Sequence, residues 1–267
     1  DRYDLASGQT VRLFRSDAAA LERAVGFAGG DTSKLLTWHQ SPADPPNLFL
    51  RTLGQAQADA ATGEAAYAST PVAITRFPDP APLARGVNKR LVKYPRKDGV
   101  ELSFTLYTPP GYQEGTRVPA ILYAYPQDYA DPSKAGQVSG SEQTFTRLSN
   151  YRLLLLAGYA IIDNAAFPIV GDPRTAYDTY LEQLVANAEA AVGKAVELGV
   201  VDPQRIGITG HSHGALMAAN LLAHTDLFRA GVASSGGYNK TLTPFGFQSE
   251  RRSFWDARDA YDQASAF

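Results

Sequence analysis

A serine lies between two glycines at a point where a strand-like run meets a helix-like run. The sequence at 210–214 is Gly-His-Ser-His-Gly, which fits the pattern G-x-S-x-G. Residues 205–209 before it have the composition of a strand, and residues 215–222 after it have that of a helix. A strand, a tight turn and a helix in this order form a nucleophile elbow. The pattern therefore predicts that Ser212 is a nucleophile.

The residues around Ser212 suit this turn physically. Gly210 and Gly214 have no side chains, so the strand and the helix can approach each other closely. We expect Ser212 to have a strained backbone and to project its hydroxyl from the end of the sheet. The helix that follows begins with free N–H groups and a partial positive charge. We therefore expect the backbone N–H of His213 to donate to an oxyanion.

Strand-like and helical runs alternate through the second part of the chain. Apolar runs at 120–125 and 159–163 are typical of strands buried on both faces. Apolar residues with a helical period follow between 175 and 199, where Gly199 is a predicted stop. The strand before the elbow and another at 230–234 complete the series. This order predicts an α/β fold with a mainly parallel sheet.

The first part of the chain has a different character. It contains short strand-like runs separated by turn residues, at 11–15, 35–39, 48–53 and 72–77. Residues 55–68 are rich in alanine, glutamine and glycine, which predicts a loop or a weak helix. The proline-dense stretch 77–82 is typical of a linker. We predict a β remnant of a repeat structure plus linker at 1–84, and a separate α/β domain at 85–267.

The composition excludes several classes of function. The 267 residues contain no cysteine, so a thiol nucleophile, a disulfide and a cysteine-bound metal are excluded. The formal net charge of −2 gives no basic excess for nucleic acid, and no apolar run reaches the ~18 residues of a membrane span. We predict no metal and no organic cofactor. We therefore expect a soluble protein. Both the cytoplasm and the periplasm of a bacterium are compatible with this sequence.

A serine nucleophile needs a general base and a carboxylate that orients it. In the elbow setting these follow the serine along the chain as an acid and then a histidine. His213 is adjacent to Ser212, and His224 lies about three helical turns away, roughly 18 Å. We interpret all four histidines as structural or exposed, including His39 and His211. We predict that the acid and the base lie beyond Phe267, and that residues 1–267 alone are inactive.

A second oxyanion donor is expected after an earlier strand. That strand is the run at 121–125, and Tyr125 stands at its carboxyl end, where ligand-facing groups of parallel sheets collect. The phenol of Tyr125 is therefore a candidate donor. The alternative is that Tyr125 only packs at the rim of the sheet.

Several longer stretches resemble the prolyl oligopeptidase family of serine peptidases, and most closely its glutamyl endopeptidase branch. They are Ser-Pro-Ala-Asp-Pro-Pro-Asn at 41–47, Phe-Pro-Asp-Pro at 77–80, Leu-Tyr-Ala-Tyr-Pro at 122–126, Pro-Ile-Val-Gly at 168–171, the elbow, and Tyr-Asn-Lys-Thr-Leu-Thr-Pro-Phe-Gly-Phe-Gln at 238–248. The resemblance implies the tail of an N-terminal β-propeller, then an α/β-hydrolase fold that is incomplete because its C-terminal strands are missing. It also implies hydrolysis of peptide substrates through an acyl-enzyme on Ser212, with Tyr125 and the His213 N–H at the oxyanion.

The resemblance also bears on how the substrate side chain is recognised. Relatives place an aromatic residue at the position of His213, and an arginine at that of Ser234. An acidic residue before the scissile bond needs a cation, and Lys240 and Arg251 are the candidates, with Arg252 as a third. Tyr238 is predicted to line the same substrate site. Three functions stay open: a peptidase that cleaves after Glu, an esterase or acylaminoacyl-type exopeptidase, and a non-catalytic binding module if the gene ends near Phe267.

Overall fold

The computed structural model describes residues 1–58, 65–136 and 141–266, which form two compact units. The first unit contains residues 1–85 together with 141–147, and the second contains residues 86–140 and 148–267. The grouping of 141–147 with the first unit was not predicted. Residues 141–147 join the first unit through contacts with residues that are distant in the chain. A local sequence pattern does not indicate such contacts.

The first unit is built on an antiparallel sheet of four strands in the order β3-β4-β5-β6. A separate pair, β1 and β2, precedes it. The strands are β1 Arg2–Tyr3, β2 Thr10–Val11, β3 Leu21–Ala28, β4 Asp31–Gln40, β5 Asn47–Ala58 and β6 Ala65–Ala73. A sheet of four antiparallel strands is the size of one propeller blade. Its origin in a propeller stays a prediction.

The prediction of a loop or weak helix at 55–68 was wrong for the residues that the structure describes. Strand β5 continues to Ala58 and β6 begins at Ala65, while residues 59–64 lie outside the described part. Pairing along the hairpin, for example of Ala56 with Tyr67, supplies the backbone hydrogen bonds. Such cross-strand pairing overrides the low strand propensity of alanine and glycine.

A buried ion pair holds the sheet of the first unit together. The Nε of Arg51 on β5 donates to Oε1 of Glu22 on β3 across 2.6 Å, and the Thr37 hydroxyl donates to the same oxygen. Burial favours a higher pKa for the Glu22 carboxyl, but these hydrogen bonds outweigh it and lower the pKa below its usual value. Glu22 is therefore a paired carboxylate that links three strands.

The second unit contains a mixed sheet of six strands in the order β14-β13-β9-β11-β8-β7. Four of them, β14, β13, β9 and β11, run parallel to one another, whereas β8 and β7 are antiparallel to their neighbours. The strands are β7 Asn88–Pro95, β8 Glu101–Thr108, β9 Val118–Ala124, β11 Ala160–Ala165, β13 Val201–His211 and β14 Ala230–Ser234, and a small pair is formed by β10 Gln127–Tyr129 and β12 Pro168–Val170. The α/β prediction is confirmed.

The described part of the second unit contains three α-helices: α1 Tyr180–Glu197, α2 His213–His224 and α3 Arg258–Ala264. Helices α1 and α2 pack on the sheet, and α3 contacts α1. The buried face of α1 repeats with a helical period, through Leu184, Ala188, Ala191, Val192 and Ala195. Gly199 has a φ of 75° just after α1, as predicted for a stop. Short 3-10 helices lie at Pro82–Gly86, Pro132–Lys134, Asn150–Ala157, Ala176–Thr179 and Lys240–Leu242. No helix in the described ranges is long and apolar enough to cross a membrane.

Candidate active site

The predicted strand, turn and helix are present around Ser212. Strand β13 ends at His211, α2 begins at His213, and Ser212 stands between them with φ 56° and ψ −119°. A positive φ at a residue with a side chain costs about 1–3 kcal/mol, and the surrounding structure has to hold it in place. Here the N–H of Ser212 donates to the Ser234 carbonyl across 2.9 Å, which anchors the turn to β14.

The two glycines of the elbow are required by contacts with backbone atoms. A Cβ on Gly210 would lie 2.0 Å from the Gly214 carbonyl oxygen, and a Cβ on Gly214 would lie 2.7 Å from the Ala124 carbonyl oxygen. Backbone cannot yield to such contacts as a flexible side chain can. The first contact brings the end of β13 close to the start of α2. The second brings the start of α2 close to the end of β9.

The start of α2 leaves N–H groups available beside the serine. No side chain caps this helix terminus. The Ala215 and Leu216 N–H groups donate to the Ser212 carbonyl across 3.0 and 3.3 Å. The N–H groups of the first two helical residues come before these bonds and have no acceptor within the helix. A helix terminus of this kind stabilises negative charge.

The structure brings Tyr125 to the elbow. Tyr125 directly follows β9, and its Cδ2 atom would lie 3.5 Å from a Cβ on Gly214. Its ring meets the His213 ring edge-on, with 6.0 Å between the ring centroids. The side chain is 37% exposed. Tyr125, Ser212 and His213 therefore share one site, although they come from two separate segments.

The hydroxyl of Ser212 forms no hydrogen bond within the described residues. None of the four histidines bonds to it there: His211 and His224 are exposed, and His39 packs against Phe49 in the first unit. His213 is 4% exposed, and its Nε2 lies 3.3 Å from the hydroxyl oxygen of Tyr180. The site therefore contains the serine, the uncapped start of α2 and Tyr125, without a histidine bonded to Ser212 in the described part of the chain.

His213 is a buried, neutral side chain. Burial, assisted by the charge of Lys240, lowers the pKa of His213 to about 4. Its Nδ1 atom is buried and has no hydrogen-bond partner among the described residues. Tyr180, which bonds the other ring nitrogen, was not predicted as a site residue. The only sequence signal was its i, i+3 spacing from Tyr177, on which it stacks with 5.1 Å between centroids.

Of the three candidate cations, Lys240 is the one whose charge acts on the His213 ring, and no carboxylate in the described part of the chain forms an ion pair with it. It is 8% exposed, and burial lowers the pKa of its ammonium. Arg251 is exposed and donates to the Gln248 carbonyl across 2.9 Å. Arg252 pairs with Glu250 and Asp178, which raises the pKa of the guanidinium. The two arginines therefore already have partners.

Tyr238, also predicted in the substrate site, is turned toward the backbone of the sheet. Its hydroxyl donates to the Ala233 carbonyl across 2.8 Å and receives the Gly236 N–H at 3.3 Å. These bonds fix the loop that follows β14. Among the described residues, no three His, Asp or Glu side chains cluster as metal ligands would.

Comparison with known proteins finds a family match for the part of the chain that contains the elbow. Residues 175–267, which include the elbow, match the sequence model of the prolyl oligopeptidase family, peptidase S9. The chain carries a prolyl oligopeptidase family domain. The resemblance seen in the sequence is thereby confirmed for residues 175–267.

Two curated plant proteins align with the whole chain. A probable chloroplastic glutamyl endopeptidase of Arabidopsis thaliana is 47% identical over 282 residues, covering 100% of the chain and 28% of the relative. One from Oryza sativa subsp. japonica is 38% identical over 283 residues, covering 100% of the chain and 29% of the relative. The chain thus spans less than a third of the length of these relatives.

A solved structure shows the fold of this prolyl oligopeptidase family domain. A puromycin-hydrolyzing peptidase of Mycobacterium tuberculosis superposes with a TM-score of 0.60 at 17% identity, over 89% of the chain and 36% of that protein. At this identity the likeness concerns the fold alone. The prediction of an incomplete α/β-hydrolase fold is confirmed.

Proposed function

We propose that the chain is the nucleophile-bearing part of a serine endopeptidase. Ser212 Oγ attacks the carbonyl carbon of a peptide bond, and its proton passes to a general base. The protonated base then gives this proton to the leaving amine as the tetrahedral intermediate collapses. Water, which gives a proton to the same base, attacks the ester and releases the acyl group from Ser212. The observation that carries the proposal is the positive φ of Ser212 at an uncapped helix start, with Tyr125 beside it.

Two donors are proposed for the oxyanion. One is the His213 N–H, at the positive end of α2. The other is the Tyr125 phenol, whose ring lies close to Gly214, two residues after Ser212. A preorganised donor of this kind typically contributes about 3–4 kcal/mol in the transition state. This assignment uses only the backbone N–H of His213 and does not involve its imidazole.

The base and its orienting carboxylate are proposed to come from polypeptide outside residues 1–267. Ser212 has no hydrogen-bonded base among the described residues, and a serine hydroxyl without one is a poor nucleophile. We therefore expect no peptidase turnover from residues 1–267 alone. The experiments below use the protein expressed from its complete gene.

Removal of the Tyr125 hydroxyl tests the second donor. Tyr125→Phe is expected to lower kcat by about 10²-fold with a smaller change in KM, because the donor acts on charge that develops in the transition state. Thermal stability is expected to stay near that of the parent, since the side chain is partly exposed. Tyr129→Phe, four residues along, is the matched control. A kcat for Tyr125→Phe within twofold of the parent would remove Tyr125 from the mechanism.

We propose cleavage after glutamate as the preferred reaction, as the names of the two plant relatives suggest. The test compares three substrates side by side: a peptide with one internal Glu, a blocked acyl-amino-acid peptide and a simple ester. We expect the highest kcat/KM for the internal-Glu peptide, with the new carboxyl terminus at Glu in the mass spectrum. A clear preference for the ester or for the acylated terminus would favour an esterase or an exopeptidase. Selective peptide binding with no turnover of any of the three would favour a binding module.

A further inference from the structure

A fully buried tyrosine faces the imidazole of His213. Tyr180 is the first residue of α1, and its side chain is 0% exposed. Its hydroxyl oxygen lies 3.3 Å from His213 Nε2, and the two rings are tilted by 35° with 5.6 Å between their centroids. Because burial of a hydroxyl costs free energy unless it is hydrogen-bonded, a phenylalanine would meet the needs of packing alone. The Tyr180 hydroxyl therefore has its specific partner in the imidazole.

The contact with Tyr180 determines how the His213 ring is held. Nδ1 has no hydrogen-bond partner among the described residues, so Nε2 provides the directional contact of the imidazole there. Burial lowers the pKa of His213 to about 4 and keeps the pKa of Tyr180 well above its usual value, so both groups are neutral near pH 7. A neutral pair can orient the ring without placing a charge next to Ser212.

The ring of Tyr125 contacts the same imidazole. The Tyr125 and His213 rings meet edge-on at 67°, and a Cβ on Gly214 would lie 3.5 Å from Tyr125 Cδ2. The Tyr125 side chain is 37% exposed, so these contacts enclose only part of it. The position of the imidazole therefore limits the positions that the Tyr125 hydroxyl can take.

A stacked pair of tyrosines extends these contacts back to the segment that carries Tyr125. Tyr177 stacks on Tyr180 with an interplanar angle of 8° and 5.1 Å between the ring centroids. The Tyr177 hydroxyl donates to Asp128 Oδ2 across 3.3 Å, and Asp128 follows Tyr125 by three residues. The contacts thus form a closed series, whose members in order are Tyr125, His213, Tyr180, Tyr177 and Asp128, with the backbone at 126–127 completing it.

Both proposed oxyanion donors belong to this closed series. The His213 N–H lies at the start of α2, whereas the Tyr125 phenol follows β9, so the two donors come from separate segments of the chain. An oxyanion donor contributes fully only when it is fixed where the negative charge develops, and small displacements are costly. Side-chain contacts that fix one segment against the other therefore preorganise the pair of donors.

We propose that Tyr180 is a positioning residue of the oxyanion site: its hydroxyl bonds to His213 Nε2 and fixes the imidazole, and the imidazole fixes the Tyr125 phenol. This inference rests on the proposed function and adds a residue to the same site. Tyr180 is fully buried and acts through His213, without contact with the substrate. Tyr180→Phe keeps the stacked ring and removes only the hydroxyl, so it separates positioning from packing.

Tyr180→Phe in the protein from the complete gene is expected to lower kcat for an internal-Glu peptide about three- to tenfold, the range for loss of one hydrogen bond. KM is expected to stay within about twofold of the parent, because the donor that Tyr180 positions acts on the transition state. The matched control is Tyr94→Phe. Tyr94 is 3% exposed, and its hydroxyl has no hydrogen-bond partner among the described residues, so kcat and KM should equal those of the parent. A parent-level kcat in Tyr180→Phe would overturn the proposal.

A double-mutant cycle tests whether Tyr180 acts through Tyr125. In Tyr125→Phe the phenol is already absent, so the addition of Tyr180→Phe should lower kcat by less than about twofold. A merely structural role of the Tyr180 hydroxyl would lower kcat by the same factor in both backgrounds. That outcome would contradict the proposal.

Substitution of His213 repeats the test without a change at Tyr180. His213→Phe keeps the backbone N–H and a ring beside Tyr125, but it removes the nitrogen that faces Tyr180. We expect kcat to fall about three- to tenfold in the parent background, as for loss of the same hydrogen bond. In the Tyr125→Phe background the further decrease should be less than about twofold. Equal decreases in the two backgrounds would show that the imidazole does not act through Tyr125.

The single variants separate this inference from the proposed function. A kcat that is lowered in Tyr125→Phe and unchanged in Tyr180→Phe leaves the oxyanion donor in place and rejects Tyr180 as its positioning residue. A parent-level kcat in Tyr125→Phe rejects the donor, and this inference with it. Fluorophosphonate labelling of Ser212 reports on the nucleophile independently of both tyrosines.

Discussion

Replacement of Ser212 by alanine is expected to lower kcat/KM for an internal-Glu peptide by about 10⁶-fold. The acyl-enzyme forms on this hydroxyl, so only binding and the oxyanion donors would remain to assist attack by water. Alanine keeps the backbone of the elbow, including the His213 N–H and the bond from the N–H at 212 to the Ser234 carbonyl. We therefore expect a folded protein with a thermal unfolding midpoint within a few degrees of the parent.

The control for this experiment is Ser33→Ala, which changes an exposed serine in β4 of the first unit. Its kcat/KM is expected to equal that of the parent. A Ser212→Ala variant that retains more than about a hundredth of the parent kcat/KM would show that the peptide bond is attacked by another group. Parent activity has to be measured in the same preparation, so that the absence of turnover is not mistaken for the effect of the substitution.

Gly210→Ala is expected to have the largest effect on stability. The new Cβ would lie 2.0 Å from the Gly214 oxygen and 2.3 Å from its carbonyl carbon, and both are backbone atoms inside the elbow. Relief of this overlap requires β13 and α2 to separate. Because overpacking a core commonly costs about 1–3 kcal/mol even where side chains can adjust, we expect at least about 3 kcal/mol here. The thermal unfolding midpoint should fall by about 6–12 °C.

Gly193→Ala is the matched control for that substitution. Gly193 lies inside α1 on an exposed face, and a Cβ there would have no atom within 4 Å. Alanine at such a position is expected to stabilise the helix by about 0.5–1 kcal/mol, since glycine loses more backbone entropy on folding. Substitution of glycine by alanine is therefore expected to lower the free energy of unfolding at 210 and to raise it at 193. Equal midpoints for the two variants would contradict the close approach of β13 and α2.

The elbow was predictable because its requirements are local. Two glycines around Ser212, a strand before it and a helix after it are all encoded within residues 205–222, as the strand-to-helix pattern requires. The buried face of α1 was predictable for the same reason, since Leu184 and Ala188 follow a helical period. The structure of long, strongly periodic segments of this kind can be predicted from their own residues, without knowledge of distant contacts.

Features that depend on distant segments were not predictable to the same extent. The β5–β6 hairpin gains its stability from pairing, and alanine-rich sequence gives no local sign of it. The contact between Tyr180 and His213 joins residues 33 positions apart in the chain. Sequence indicated Lys240, Arg251 and Arg252 equally as cations. Only their surroundings separate a buried lysine, which has no ion pair within the described ranges, from two arginines with partners.

Covalent labelling with a fluorophosphonate probe tests the central claim most directly, because the probe reacts with an activated serine hydroxyl. The protein from the complete gene is labelled, digested and mapped by mass spectrometry. We predict a single adduct on Ser212, absent from Ser212→Ala and retained in Ser33→Ala. Labelling of Ser212→Ala to the parent level, or an adduct on a different residue, would contradict the assignment of Ser212 as the nucleophile.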